Sequence, residues 1–394
     1  MTARVYYHAR RESAPFDSPD RGPLAFHRRL EGYAPTPLSE APEIARLFGV
    51  ERVLLKVEAE RLGLPAFKIL GASWAIYRTL QSRLPELRDD WTTTHELAAR
   101  VSSLRPLTLV TATDGNHGRA VAHIARRLGF DARIYLPAHT AKARLDGIAS
   151  EGAQVRIVDG TYDDAVARSA RDASERCLVI SDTSWAGYEE VPRWVMEGYS
   201  TIFCEIDDEL ARRNQRGPDL TAVQTGVGAL AAAVVQHYRL TKRDPHPVIV
   251  NVEPLHAACM LAAMEAGEIV TVPGPHDSIM AGLNCGRAST IAWPIVSKGV
   301  DAFIAVDDDR AREAMRLLGS AGVAAGETGA AGLAGLLELL TGVDREKNRA
   351  ALRVNEKTCV LILVTEGATD PKSYAEIVGT FEPTRTLRKP SGNA

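Results

Sequence analysis

Lys68 is the only charged residue in "PAFKILGASWA", residues 65–75. Apolar side chains precede it, and Gly71, Ala72 and Ser73 follow. An ammonium group in apolar surroundings has its charged form disfavoured and its pKa lowered. The neutral amine can then attack a carbonyl and form a Schiff base. The plainer alternative is a lysine with a buried stem and a head that reaches water. The small residues after Lys68 tip the balance, because they would let a ligand approach the backbone closely.

Three other stretches carry residue types suited to a ligand. In "TDGNHG", residues 113–118, Asp114, Asn116 and His117 sit between glycines just before a helical pattern. Helix N-termini offer unpaired N–H groups and partial positive charge, and Asn116 could hold a polar group there. The same residues are also ordinary turn and cap chemistry. In "TGVGALAAAV", residues 225–234, two glycines join an apolar run to an alanine-rich helix. Such a loop can close on a phosphate. It lacks both the GxGxxG spacing and the P-loop ending, and a tight turn needs glycine anyway. In "TEGATDP", residues 365–371, Thr365 ends an apolar strand, with Glu366 and Asp370 read as turn residues.

The elements around these stretches alternate. "ERVLLKVE" reads as a strand and "GASWAIYRTLQSRL" as a helix; "LTLVTAT", "ARIYLP", "AQVRIVDG" and "CLVI" are strands separated by helices. Thr161 with Asp164 matches a helix-start box. "DLTAVQTG", "PVIVNVEP", "DAFIAVDD" and "TCVLILVTEG" continue the rhythm. The fold class expected is α/β, with parallel sheets and helices on both faces. In such sheets ligands bind beyond the carboxyl ends of strands, where these turns lie. Residues 88–196 are expected to form a small α/β domain, and 1–87 with 197–394 a discontinuous large one. Residues 1–33, interrupted by Pro15, Pro19 and Pro23, read as an irregular arm. The segment 84–104 is polar, and the tail 383–394 is expected to be mobile.

Composition narrows the function. The chain has 394 residues, 45% hydrophobic and 25% charged, with net charge −3, which leaves no nucleic-acid footprint. No signal peptide or membrane-length apolar run is visible, so a cytoplasmic protein without a membrane partner is expected. The five cysteines (177, 204, 259, 285 and 359) show no zinc spacing, and no metal is expected.

Lysine, asparagine, glycine loop and strand-end hydroxyl, in this order, resemble the tryptophan-synthase-β-like, fold type II group of pyridoxal phosphate (PLP) enzymes. The likeness runs from "YAPTPL" at 33–38 almost to "TEGATDP". Within that group, "RLGLPAFKILGASWAIY", "TATDGNHGRAVA", "SDTSWAGYEEVPRWVMEGY", "QTGVGALAAAV", "IMAGLNCG" and "GETGAAG" resemble segments of the diaminopropionate ammonia-lyases.

The resemblance implies two open, mostly parallel sheets, with PLP in a cleft between a large and a small domain. It implies that Lys68 holds PLP, that Asn116 meets its 3-hydroxyl and that Gly226, Val227, Gly228 and Ala229 cradle its phosphate. Thr365 would face the pyridine nitrogen. A hydroxyl there does not keep the ring protonated, which favours α,β-elimination over transamination. Asp114 would take the α-proton from one face and Lys68 from the other, so that D- and L-2,3-diaminopropionate both react. Asp182 would hold the substrate's amino group, the products being pyruvate and two ammonia. A homodimeric carbon–nitrogen lyase acting on a small amino acid is implied.

Other readings stay open. A dehydratase or β-replacement enzyme on serine- or threonine-like substrates is one, and a non-catalytic PLP-holding protein is another. Asp182 with Thr183 could be a helix cap, His117 could be structural and Glu327 could stand behind the site. Cys259 and Cys285 could lie close and respond to oxidation, or be two buried thiols. Thr225 stands where the wider group often has glycine.

Overall fold

The computed structural model describes residues 3–8, 20–87, 90–240 and 245–379. The strands are β1 (Arg4–Tyr7), β2 (Leu38–Glu40), β3 (Arg52–Val57), β4 (Thr108–Ala112), β5 (Asp131–Pro137), β6 (Gln154–Val158), β7 (Cys177–Val179), β8 (Leu220–Gln224), β9 (Val248–Pro254), β10 (Ala302–Val306) and β11 (Cys359–Val364). They form two sheets, one ordered β1-β10-β9-β8-β11-β3-β2 and the other β6-β5-β4-β7. Every pairing is parallel except at the two edges of the larger sheet, where β1 meets β10 and β2 meets β3 antiparallel.

Central strands of the larger sheet are buried at every position: "LTAVQ", "VIVNVEP", "AFIAV" and "CVLILV". Continuous apolar runs of this kind are what a sheet covered by helices on both faces demands. The helix Glu327–Thr341 covers one face with Ala, Gly and Leu. Its Gly335 is obligatory, since a Cβ there would sit 2.4 Å from a Val252 methyl.

The expected alternation of strands and helices stands, and the Thr161–Asp164 capping box forms. Two expectations need correction. The N-terminal arm is not irregular where described: Arg4–Tyr7 adds an edge strand, and Gly22–His27 is a helix with Pro23 in its first turn, where a missing N–H costs nothing. Pro15, Pro19 and the tail 383–394 lie outside the described residues. The polar segment 84–104 contains the helix Thr94–Arg100 and the fully buried Trp91.

The second correction concerns Gly71, Ala72 and Ser73. None of them lines the cleft around Lys68; all three are buried inside the helix Lys68–Arg83, which crosses the helix Glu190–Gly198. A Cβ on Gly71 would fall 2.6 Å from the Tyr199 ring, and one on Gly198 would fall 2.5 Å from the Leu70 carbonyl oxygen. The glycines allow two helix backbones to touch.

Candidate active site

The turns after β4, β8 and β11 converge with Lys68 on one cleft, which encloses about 740 Å³ of non-atom space, part of it open to solvent. Lys68, Asp114, Asn116, His117, Asp182, the loop Thr225–Ala229, Thr365 and Glu366 all line it. The structure therefore brings every residue singled out for chemistry into one place.

Lys68 is the first residue of its helix, three residues earlier than periodicity suggests. Its Nζ donates to Asp182 Oδ2 at 2.6 Å, and 22% of its side chain remains exposed. Burial alone would discharge this amine, as the sequence led us to expect. The Asp182 carboxylate reverses that and holds the ammonium above the ordinary lysine value. An ion pair at this distance outweighs partial desolvation. Asp182 is buried, and burial works against its charge; Lys68, His117 and a 3.2 Å hydrogen bond from Tyr162 Oη together keep it below the usual carboxylate range. It caps no helix, since the next one begins at Glu190.

Asp114 behaves oppositely. Desolvation pushes its carboxyl up to about 8, with Arg144 pulling down and Asp182 pushing further up. His117 is buried, and burial lowers its pKa. Its Nε2 lies 2.8 Å from the Ile180 carbonyl oxygen, which can only accept, so Nε2 carries the proton. Nδ1 then offers a lone pair, 4.0 Å from Asp182 Oδ2.

The glycine loop fits a phosphate. The helix Ala229–Leu240 starts directly after it, and the amides of a first helical turn have no acceptor within the helix. A Cβ on Gly226 would approach Cys285 Sγ to 3.1 Å and the Gly282 carbonyl oxygen to 3.2 Å. Gly228 has φ +106°, and a Cβ there would meet Met260 Cε at 2.6 Å. Thr225 turns its hydroxyl away, donating to Asn251 Oδ1, while Asn251 Nδ2 donates to Glu253 Oε2 at 3.0 Å. Cys259 donates to the Gly226 carbonyl oxygen at 3.5 Å; both it and Cys285 are buried free thiols flanking the loop.

Thr365 is buried, and its hydroxyl oxygen accepts from Gln224 Nε2 at 2.8 Å, which leaves its own hydrogen to donate. Asn116 begins the helix Asn116–Leu128 and donates from Nδ2 to Glu366 Oε2. Glu366, read from sequence as a turn residue, is buried and also accepts from the Thr328 amide at 3.2 Å. Glu327 lies in a neighbouring cleft, where its Oε1 accepts from Ser373 Oγ at 2.5 Å.

Sequence reasoning missed Tyr162, Arg144 and Gln224. Tyr162 stood inside a helix-start signal, Arg144 inside a polar helix, and Gln224 beside the glycine loop. No local pattern marks any of them. It also missed what anchors the approach to Lys68. Lys56, Glu58, Arg61 and Glu205 form a buried network in which Glu205 accepts from Lys56 Nζ at 2.6 Å and from two Arg61 nitrogens at 2.7 and 2.8 Å. Arg61 and Leu64 close a tight turn by mutual backbone bonds of 2.7 and 3.0 Å, four residues before Lys68.

Comparison with known proteins agrees with this geometry. The diaminopropionate ammonia-lyase of Salmonella typhimurium is 36% identical over 368 residues, covering 90% of each chain. That of Escherichia coli K12 is 36% identical over 379 residues, covering 93% of each. A crystal structure of the Escherichia coli enzyme in complex with D-serine superposes with a TM-score of 0.88 at 33% identity, over 96% of this chain and 97% of that one. Maize serine racemase, at 24% identity and a TM-score of 0.71, shares the fold, covering 91% of this chain and 96% of its own. The model of the pyridoxal-phosphate dependent enzymes matches residues 29–363, a span that includes Lys68 and the turns after β4 and β8; the chain belongs to that family.

Proposed function

We propose that this chain is a PLP-dependent ammonia-lyase that removes both amino groups of 2,3-diaminopropionate, giving pyruvate and two ammonia. Lys68 would hold the cofactor's aldehyde carbon, Gly226, Val227, Gly228 and Ala229 its phosphate, Asn116 its 3-hydroxyl and Thr365 its ring nitrogen. When bound, PLP supplies an electron sink for charge developing at the substrate's α-carbon. The observation that carries the reading is a single cleft in which one amine meets two aspartates of opposite character.

Asp182, kept anionic, suits an ammonium group on the substrate and holds it as the leaving nitrogen departs. A leaving amine departs far more readily as ammonia than as an amide anion, and a carboxylate partner keeps it protonated. Asp114 has a pKa of about 8, near working pH, which is where a general base is most effective. It takes the α-proton of one stereoisomer, and the Lys68 amine, neutral once the substrate's ammonium has taken its place against Asp182, takes that of the mirror image. Tyr162 orients Asp182 through its hydrogen bond without entering the reaction. We place the enzyme in the cytoplasm as a homodimer, in line with the five free cysteines and with the resemblance. The same reading divides the chain into a small domain, 88–196, around the β6-β5-β4-β7 sheet, and a large domain from 1–87 and 197–394.

The test is pyruvate release from D- and L-2,3-diaminopropionate, beside serine and threonine, with wild type, Lys68→Ala and Asp114→Asn. Turnover of both diaminopropionate isomers is expected, with none in Lys68→Ala and a larger loss on D than on L in Asp114→Asn. Pyruvate from serine alone would make it a dehydratase. A coloured protein with no turnover on any β-substituted amino acid would make it a carrier.

A further inference from the structure

Arg144 reaches both the Asp114 turn and the Glu366 turn from outside either. It projects from the helix Lys142–Ala149 and is 8% exposed. Its Nη1 donates to the Asp114 carbonyl oxygen at 3.3 Å, and its Nη2 lies 3.8 Å from Glu366 Oε1. Its stem covers Gly115, where φ is +149° and a Cβ would meet Arg144 Cδ at 3.1 Å. Glu366 in turn receives Asn116, so the guanidinium closes a chain from Asp114 through Glu366 back to the same turn. A buried guanidinium seldom stands without such partners.

We propose that Arg144 is a positioning residue for Asp114, fastening the turn that carries this carboxylate to the turn that carries Glu366 and supplying the positive charge beside it. The inference rests on Asp114 being the base for one stereoisomer. The charged groups acting on Asp114 are Arg144 from the helix Lys142–Ala149, Asp182 from the turn after β7, Lys68 from its helix and Asp163 from the helix Tyr162–Ala170. Arg144 is the largest charge effect among them. Tyr162, His117 and Cys285 line the same cleft. An opposite charge close to a carboxylate lowers its pKa by about one unit or more. Removing it raises the Asp114 pKa, so the ionised base appears only at higher pH.

The experiment compares wild type, Arg144→Met and Arg144→Lys holoenzymes. It reads the pH profile of kcat/KM for each diaminopropionate isomer and the infrared titration of the Asp114 carboxyl, assigned by difference against Asp114→Asn. For Arg144→Met the acid limb for D is expected to move up by about one unit, a loss of about tenfold at neutral pH that recovers in alkali. The L isomer should lose less, and Arg144→Lys should stay near wild type. An unmoved limb and carboxyl titration in Arg144→Met, or an equal shift in Arg144→Lys, would overturn the proposal. Should Arg144→Met not fold, Arg144→Gln carries the same comparison. If Asp114→Asn itself spares the D isomer, the assignment of the base fails first. If it removes D turnover while the Arg144 variants leave the limb in place, only the role of Arg144 fails.

Discussion

Glu205→Gln is the substitution that best isolates what holds Lys68 in place. Glu205 is 4% exposed and is paired with Lys56 and Arg61, which also face Glu58 at 3.9 and 2.6 Å. Two cations and two anions balance. The glutamine leaves three charges with a net +1 in the interior, and it turns an N–H pair toward donors that have nothing to give it. Breaking a buried pair from one side costs about 3–5 kcal/mol. Arg61 also closes the turn that leads into Lys68, so the loss falls on the segment that aims the amine. The assay is urea unfolding of the holoprotein at neutral pH, followed by tryptophan fluorescence, for wild type, Glu205→Gln, Lys56→Met and the double variant. The double variant restores neutrality, so it should lose less than the sum of the singles by about 1 kcal/mol or more. Acid gives an independent check. Despite burial, Arg61 and Lys56 hold the Glu205 carboxyl down at about 2, below its ordinary 4.5. A depressed folded-state value means stability is fully present above the ordinary value and drains as pH falls through that window. Glu205→Gln should flatten that part of the acid profile. A loss under about 1 kcal/mol at neutral pH, or strict additivity in the double variant, would refute the reasoning.

Two further predictions concern glycines. Gly198→Ala places a Cβ 2.5 Å from the Leu70 carbonyl oxygen, a backbone atom that cannot rotate away, and should cost about 1–3 kcal/mol by thermal unfolding. Gly228→Ala combines φ +106° with a 2.6 Å approach to Met260 Cε. It should weaken PLP retention, measured by equilibrium dialysis, while leaving far-ultraviolet circular dichroism unchanged.

The strand-end turns were legible because each follows a short apolar run and precedes a helical period, a local pattern that survives in one dimension. The pairing of Lys68 with Asp182 was not, since 114 residues separate them and only the fold sets 2.6 Å between their polar atoms. The charge on Lys68 was misjudged for the same reason: flanking residues report burial, not the anion that arrives from another element. Gly71 shows how a correct residue can be read for the wrong cause. A small residue beside a reactive lysine fits a ligand, but its true neighbour is the helix that ends at Gly198, which local sequence cannot reveal. β1 escaped notice because four residues at a sheet edge carry little periodicity, and its partner β10 lies near residue 300.

The two aspartates of the cleft cannot be equivalent when one of them holds the lysine amine that lines it. Asp182 has Lys68 at hydrogen-bond distance and Tyr162 on its other oxygen, so its charge is fixed. Asp114 lacks such a partner in the cleft; burial, with the like charge of Asp182 adding to it, retains its proton up to about pH 8. Environments that push two acids apart assign them different work. The acid that cannot take a proton holds a cation, and the acid that exchanges one near neutrality moves it. Substituting Asp182 should therefore disturb both residues at once: Lys68 loses the anion that keeps it charged, and Asp114 loses the like charge that adds to burial in keeping it protonated.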